Sequence, residues 1–354
     1  MLRFKADQLR GMSASMFRRV GVPAADAELV ADHLVEAGLL GHDTHSVLRL
    51  PQYVEMVRSG TVQPGAELKL LADTRYTARV SGGWNFGPVT ATAAMRLAID
   101  KAREGAMSVV TVRDCNHVAR LGRFAALAAD ERMVGLLMAN GHGGDLAVAP
   151  FGGMARRLPT NPLSAAIPTG REWPVLLDMT TSAVSGGDLR LLRNLGRPAP
   201  EGALVDAEGR STEEVERYYG PPAGAILPLG FPQTGHKGFG LGLIVDLLSG
   251  TLSGAGCSEE TPERSGNALF VVALRVEAFA VWEDFTTEVE GLIERLKSCP
   301  PAAGFKEVML PGEHAHRQYL RRSREGLVVD EAAWGQIGQL AAELDVELPE
   351  PQSG

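Results

Sequence analysis

Residues 107–138 read MSVVTVRDCNHVARLGRFAALAADERMVGLLM, and this stretch decides the fold class. Its first six residues, Met107 to Val112, are mostly β-branched and apolar, the pattern of a strand. Val118 to Ala129 has helical spacing, and Met133 to Met138 is a second apolar strand. Further short strands are expected at Leu163 to Ile167, at Val175 to Leu177 and, buried, at Asn267 to Leu274. Strands alternating with helices imply an α/β layer architecture. Upstream, the first hundred residues read mainly helical. Pro23 suits a first helical turn, and Val30, Leu34 and Ala37 then keep one buried face. Pro51 opens a short helix from Gln52 to Arg58, and Pro88 opens another carrying Met95, Ala98, Ile99 and Ala102. Downstream, residues 184–235 are rich in Gly, Pro and charge and read as long loops around short elements. Leu241, Ile244, Val245 and Leu248 then mark a strongly apolar, buried helix just after Gly235-His236-Lys237-Gly238. Phe285, Val289, Leu292, Ile293 and Leu296 mark an amphipathic helix. Trp334, Ile337, Ala341 and Leu344 mark the last one, after Pro311-Gly312.

With 354 residues the chain has room for a large core and more than one domain. Its composition, 45% hydrophobic and 22% charged, is that of a globular protein, with disorder expected only at ends such as residues 347–354. A net charge of -8, with no stripe of Lys or Arg, argues against a nucleic-acid partner. No apolar run reaches membrane-spanning length, and residues 1–7 lack the apolar stretch of a signal peptide. Cys115, Cys257 and Cys299 are odd in number and scattered, so neither a disulfide nor a zinc framework is indicated. A reducing cytoplasm is the expected compartment, with Cys115 a core-lining thiol.

Residues 41–50, GHDTHSVLRL, bear the chemistry. His45 is a group that can give or take a proton near neutrality. Arg49 stays charged and can bind a carboxylate through two parallel hydrogen bonds. If the segment is helical, the four-residue spacing places both on one face. Such a pair suits an enzyme that forms or reduces a carbonyl next to a carboxylate. No Rossmann unit accompanies it. In Gly238-Phe-Gly240-Leu-Gly242 the third glycine falls at the wrong spacing, and Gly141-His-Gly-Gly144 is followed by a proline-bearing loop. Lys237 lacks the hydroxyl residue of a Walker loop. A metal-dependent hydrolase or lyase built on His42, His45, His117 or His142 is an alternative, although no His-Glu-x-x-His spacing supports it.

Several segments together resemble the type 2 malate/L-lactate dehydrogenase family, which is unrelated to ordinary lactate and malate dehydrogenases. That group includes ureidoglycolate, sulfolactate and 2,3-diketogulonate enzymes and a cyclic-imine reductase. The matching stretches are residues 41–60 (GHDTHSVLRLPQYVEMVRSG), 116–125 (NHVARLGRFA), 159–168 (PTNPLSAAIP), 176–182 (LLDMTTS), 235–254 (GHKGFGLGLIVDLLSGTLSG) and Pro311-Gly312-Glu313. They stand in family order over nearly the whole chain. The resemblance implies a non-Rossmann α/β fold for NAD or NADP, with helical N- and C-terminal segments packed together. Residues 1–75 with 305–354 would form a mainly helical domain carrying the His45 segment. Residues 76–304 would form the α/β core for cofactor and substrate. A homodimer with active sites near the subunit interface is also implied.

Carried over by position, the resemblance makes His45 the proton donor, hydrogen-bonded by Thr44, with Asp188 completing a relay. Arg49 and Thr160 would hold a small carboxylate substrate. His117, Val118, Ala119, Arg120 and Leu121 match a loop along the cofactor. Leu176, Leu177, Asp178, Met179, Thr180, Thr181 and Ser182 match a second cofactor stretch, as do His236 with Lys237 and Gly312 with Glu313 and His314. No metal is expected. Asp178 to Ser182 offers a turn and helix start whose amides can receive phosphate or ribose oxygens, and Lys237 a charge for pyrophosphate. The chain departs from the family's usual Ser-His-Gly at Thr44-His45-Ser46, where Ser46 raises the question of whether the backbone needs a positive φ. The activity implied is NAD(P)-dependent hydride transfer on a 2-hydroxy or 2-oxo acid. Reduction of a cyclic imine carboxylate to an amino acid is the alternative.

Overall fold

The computed structural model describes residues 2–143, 146–259 and 264–352, so Gly144 of the Gly141–Gly144 cluster and the last two residues lie outside the described residues. The chain opens with β1 (Leu2–Phe4), α1 (Ala6–Arg19) and α2 (Ala24–Leu39). Two 3-10 turns follow at Asp43–His45 and Val47–Arg49, then α3 (Leu50–Arg58). Next come β2 (Lys69–Asp73), β3 (Thr77–Ser81), α4 (Gly87–Gly105), β4 (Met107–Cys115), α5 (Gly122–Ala129) and β5 (Met133–His142). β6 (Leu163–Ile167) and β7 (Val175–Met179) precede a small lobe of α6 (Gly186–Asn194), β8 (Leu204–Val205), β9 (Ser211–Thr212), α7 (Val215–Tyr219) and β10 (Ala225–Ile226). The remainder is α8 (Gly235–Asp246), β11 (Gly266–Arg275), α9 (Trp282–Lys297), α10 (Glu313–Glu325), β12 (Leu327–Val329) and α11 (Glu331–Leu344).

The centre is a seven-stranded mixed sheet in the order β2-β3-β4-β11-β5-β6-β7. β3 runs parallel to β4, whereas β11 is antiparallel to both of its neighbours. Val271 of β11 stands opposite Val110 on one side and Leu137 on the other. All three are fully buried beneath Met95 and Ile99 of α4 and Phe124 of α5. A second apolar layer joins the chain ends. Phe4, Phe17, Leu34, Leu39, Leu50 and Tyr53 pack with Leu327, Val329, Ile337 and Leu340. β1 pairs with β12, and Phe4 stacks on Trp334 at 4.0 Å between ring centroids. Each such buried Leu or Phe contributes about 1.5–3 kcal/mol, so this layer holds the His45 segment rigidly.

The fold is mixed α/β, with the α4–β4–α5–β5 run where the alternation placed it. The first hundred residues are mainly helical, as expected, with β2 and β3 added there as an edge hairpin. Three expectations need correction. The segment from Val118 to Leu121 is loop, with Ala119 held at φ 57, and α5 starts only at Gly122. α8 is buried on only one face: Val245 is in the core, but Leu241, Leu243 and Ile244 are 40 to 50% exposed. Finally, the C-terminal tail to Gln352 is seated: Leu348 packs on the helical layer, and the Gln352 N–H donates to the Arg3 carbonyl at 2.8 Å. Among the described residues no helix is long and apolar enough to cross a membrane.

Candidate active site

A cavity of about 890 Å³ lies where the two 3-10 turns of the helical layer meet the loop before α5, the end of β7 and the start of α6. This is near the upper end of small-molecule sites. Its wall contains Thr44, His45 and Arg49, the loop from His117 to Leu121, Thr160, Asp178, Met179, Thr180 and Asp188.

His45 and Arg49 share this wall, but not through helical spacing. Ser46 interrupts the turns with an extended backbone, φ -89 and ψ -159. Ser46, which departs from the Ser-His-Gly pattern, therefore needs no left-handed conformation, and its hydroxyl donates to the Asp43 carbonyl at 2.7 Å. The Arg49 Nε–H donates to the Thr44 carbonyl at 2.8 Å and Nη1 to Gln52 Oε1 at 2.7 Å, which aims the guanidinium. Thr44 Oγ1 and His45 Nδ1 share a hydrogen bond of 3.2 Å. The His45 ring stacks on His117 with centroids 5.9 Å apart and planes 10° from parallel. His117 is fixed in turn by the Tyr53 hydroxyl, 3.1 Å from its Nδ1. Gly87 makes this seating possible. A Cβ there would fall 2.2 Å from the His117 carbonyl oxygen, so α4 can approach the loop only as glycine.

Burial, then the charges of Arg49 and His42, push the His45 imidazole down to about 4, with Asp188 opposing. Burial, then Arg120, brings His42 to about 4 as well. His117 lies well below the ordinary value through burial, Arg49 and His45. The site thus holds neutral imidazoles beside guanidinium groups. Among the described residues no three His, Cys, Asp or Glu side chains are grouped to hold a metal ion.

Among the described residues no hydrogen bond joins Asp188 to Thr44 or His45 as a relay would need. Its carboxylate accepts from the Ser185 N–H at 2.9 Å and the Ser185 hydroxyl at 2.8 Å, while its own N–H donates to Ser185 Oγ. This is a capping box at the N-terminus of α6, and the carboxylate acts on the His45 ring through its charge. Gly187 beside it lies against Thr44.

Asp178 is also placed differently from expectation. It sits within β7 instead of at a helix start, and its carboxylate accepts from the Gly122 N–H at 2.8 Å, capping α5 from a neighbouring strand. Arg120 lies beside it, with Nε 3.4 Å from Asp178 and Nη1 3.7 Å from Glu36. The Thr181 N–H, expected to be open to a ligand, donates instead to the Thr160 carbonyl at 3.0 Å.

The cavity does not include Leu176, Leu177, Thr181, Ser182, His236, Lys237, Gly312, Glu313 or His314. Leu176 and Gly312 touch one another on an outer ledge, the Leu176 N–H donating to the Pro311 carbonyl at 3.1 Å. The Glu313 carboxylate is engaged by Lys297, Arg317 and the Leu310 N–H. Lys237 stands exposed in the first turn of α8. Conversely, His42, Gln52, Arg190, Tyr218 and Tyr219 line the cavity although motif reading did not assign them to it. The adjacent tyrosines, alone in a Gly- and Pro-rich region, were the available signal.

The family model described as malate/L-lactate dehydrogenase matches residues 4–338. Malate dehydrogenase from Pyrococcus horikoshii is 35% identical over 353 residues, covering 98% of this chain and 96% of that protein. The solved structure of malate dehydrogenase from Pyrococcus horikoshii superposes with a TM-score of 0.89 over 98% of this chain and 97% of that one. L-lactate dehydrogenase from Cupriavidus necator is 33% identical, covering 98% of this chain and 99% of that protein. The structure of a delta1-piperideine-2-carboxylate reductase from Pseudomonas syringae gives a TM-score of 0.82 at 26% identity, over 96% of this chain and 100% of that one.

Proposed function

The chain belongs to the malate/L-lactate dehydrogenase family, a group of oxidoreductases acting on hydroxy acids, and from that premise we propose that it transfers a hydride between NAD or NADP and the 2-carbon of a small 2-hydroxy or 2-oxo acid. The observation that carries this reading is the shared wall: an imidazole held neutral beside a guanidinium whose direction two hydrogen bonds fix.

In the oxidation direction, Arg49 grips the substrate carboxylate and orients the 2-carbon. With Nδ1–H donated to Thr44 Oγ1, His45 presents the Nε2 lone pair and takes the hydroxyl proton. Stacking on His117 limits how the ring can turn. In the reduction direction the protonated ring returns that proton to the carbonyl oxygen. Thr160 stands on the same cavity wall as a second substrate contact. The nicotinamide, when bound, supplies or accepts the hydride. The residues fit such a group: the Asn161 side-chain oxygen is buried at the cavity without a hydrogen-bond partner among the described residues. The backbone of the His117–Leu121 loop and Asp178 to Thr180 are the stretches that would hold it.

A cyclic imine bearing a carboxylate is the second reading, favoured by the likeness to the piperideine-carboxylate reductase. The same Arg49 would bind the carboxylate, and His45 would face the imine nitrogen. A panel of 2-oxo acids and cyclic imines, tested with both reduced cofactors at the nicotinamide absorbance, separates the two. Absence of turnover with every member would refute both.

A second copy of the chain is proposed to cover α8 and the turn after it, where the row Leu241, Ile244 and Leu247 is exposed and apolar. A homodimer in sedimentation that Ile244→Glu dissociates is the expected result, and a monomeric wild type would refute it. The free thiols Cys115, Cys257 and Cys299 support a reducing cytoplasm.

A further inference from the structure

We propose that Arg120 recognises a second anionic group on the bound acid, so that the site selects 2-hydroxy or 2-oxo dicarboxylates over monocarboxylates. This deepens the proposed reading and rests on it.

Arg120 lines the same cavity as His45 and Arg49, with a side chain only 4% exposed. A guanidinium buried to that degree ordinarily makes close hydrogen bonds to its counter-charge. Here it makes none among the described residues. Its carboxylate neighbours stand at 3.4 and 3.7 Å, and its Nε is buried without an acceptor. Those carboxylates are already engaged. Asp178 accepts from the Gly122 N–H, and Glu36 is held by Arg123. The loop that delivers Arg120 is bent into the cavity through Ala119, at φ 57, a conformation a non-glycine residue holds only where its surroundings impose it. Arg120 is also near enough to lower both His42 and His45 by its charge. The pocket therefore offers two cations, of which Arg49 suffices for the carboxylate next to the reacting carbon. A substrate ending in a second carboxylate supplies the acceptor that Arg120 lacks. The same oxyanion chemistry is presented by a cofactor phosphate, and the test distinguishes the two sources.

Binding is measured by calorimetry on the wild-type protein saturated with reduced cofactor, where (S)-malate and (S)-lactate form complexes that do not turn over. The wild type is expected to bind malate at least tenfold more tightly. In Arg120→Gln the malate-to-lactate ratio falls by about 10- to 100-fold, the range for one lost hydrogen bond to a charged group. Arg120→Lys keeps the charge and retains part of the ratio. Reduced-cofactor affinity, read by nicotinamide fluorescence, stays within threefold. A wild type without preference for malate overturns the proposal. So does equal loss of both acids, or a loss of cofactor affinity as large as the loss of malate. If Arg120→Gln does not fold, the wild-type ratio and Arg120→Lys decide. Arg120-dependent malate binding without turnover of any acid would remove the hydride-transfer reading and leave this one standing.

Discussion

A neutral His45 has a kinetic consequence. Its imidazole lies at about 4 against an ordinary 6.5, a penalty on the charged form of roughly 3 kcal/mol. At pH 7 about one molecule in 10³ then carries the proton that reduction needs, against about one in four for an unperturbed ring. Oxidation needs the neutral form, which is already fully populated. For the 2-oxo acid, kcat/KM is therefore expected to rise nearly tenfold for each unit the pH falls between 8 and 5.5. For the hydroxy acid it should stay flat over that range, since this ratio reports the enzyme before the acid binds. NMR titration of the His45 Cε1–H, assigned against His45→Gln, gives the same quantity without turnover. Adding oxamate, whose carboxylate neutralises Arg49, should move the titration upward because it cancels the guanidinium charge that lowers the ring while burial remains. A bend near 6.5 in both profiles, or a ring that titrates there, would refute the reasoning.

Arg49→Met should lower kcat/KM for every carboxylate substrate by roughly 10²- to 10⁴-fold, two charge-assisted bonds being lost, with reduced-cofactor affinity nearly unchanged by fluorescence. Gly122→Ala puts a Cβ 2.6 Å from Asp178 Oδ2 and 2.7 Å from Arg120 Nη2. It should cost about 1–3 kcal/mol in urea unfolding and impair activity together with stability. His33, His42, His45, His117 and His142 are all lowered, chiefly by burial. The unfolded chain therefore binds protons below pH 6.5 that the native one refuses, and stability is present above that pH and is lost as it falls toward 4. The urea midpoint should drop steeply from pH 7.5 to 5. His33→Phe should flatten that slope by up to about 1.4 kcal/mol per pH unit, because His33 is buried against Phe124 with both ring nitrogens unpartnered among the described residues.

Where the sequence was legible, one force dominated. β4, β5, β6 and β11 are apolar runs that must be buried, and α4 carries one apolar stripe after Pro88. β2 escaped because its five residues are all exposed, and α10 because its HAHRQYLRRSRE face offers little apolar periodicity. α8 was read as buried on apolarity alone, although one chain leaves that row facing outward. In the site, the grouping of His45, Arg49, Thr160 and the His117–Leu121 loop followed the motifs. Asp188 did not, although Ser185-x-x-Asp188 already spelled a capping box that engages its carboxylate locally. The reach of Asp178 across to Gly122 depends on sheet geometry that linear spacing does not encode.

The position of β11 bears on how the protein is made. Its residues are synthesised more than a hundred positions after β4 and β5, yet they fill the gap between those two strands. Until they emerge from the ribosome, both flanking strands present unpaired edges and uncovered valines. Nascent chains ending before Gly266 should therefore be sticky and in need of chaperones, and refolding from denaturant should be slow for the protein's size, limited by the closing of that long loop.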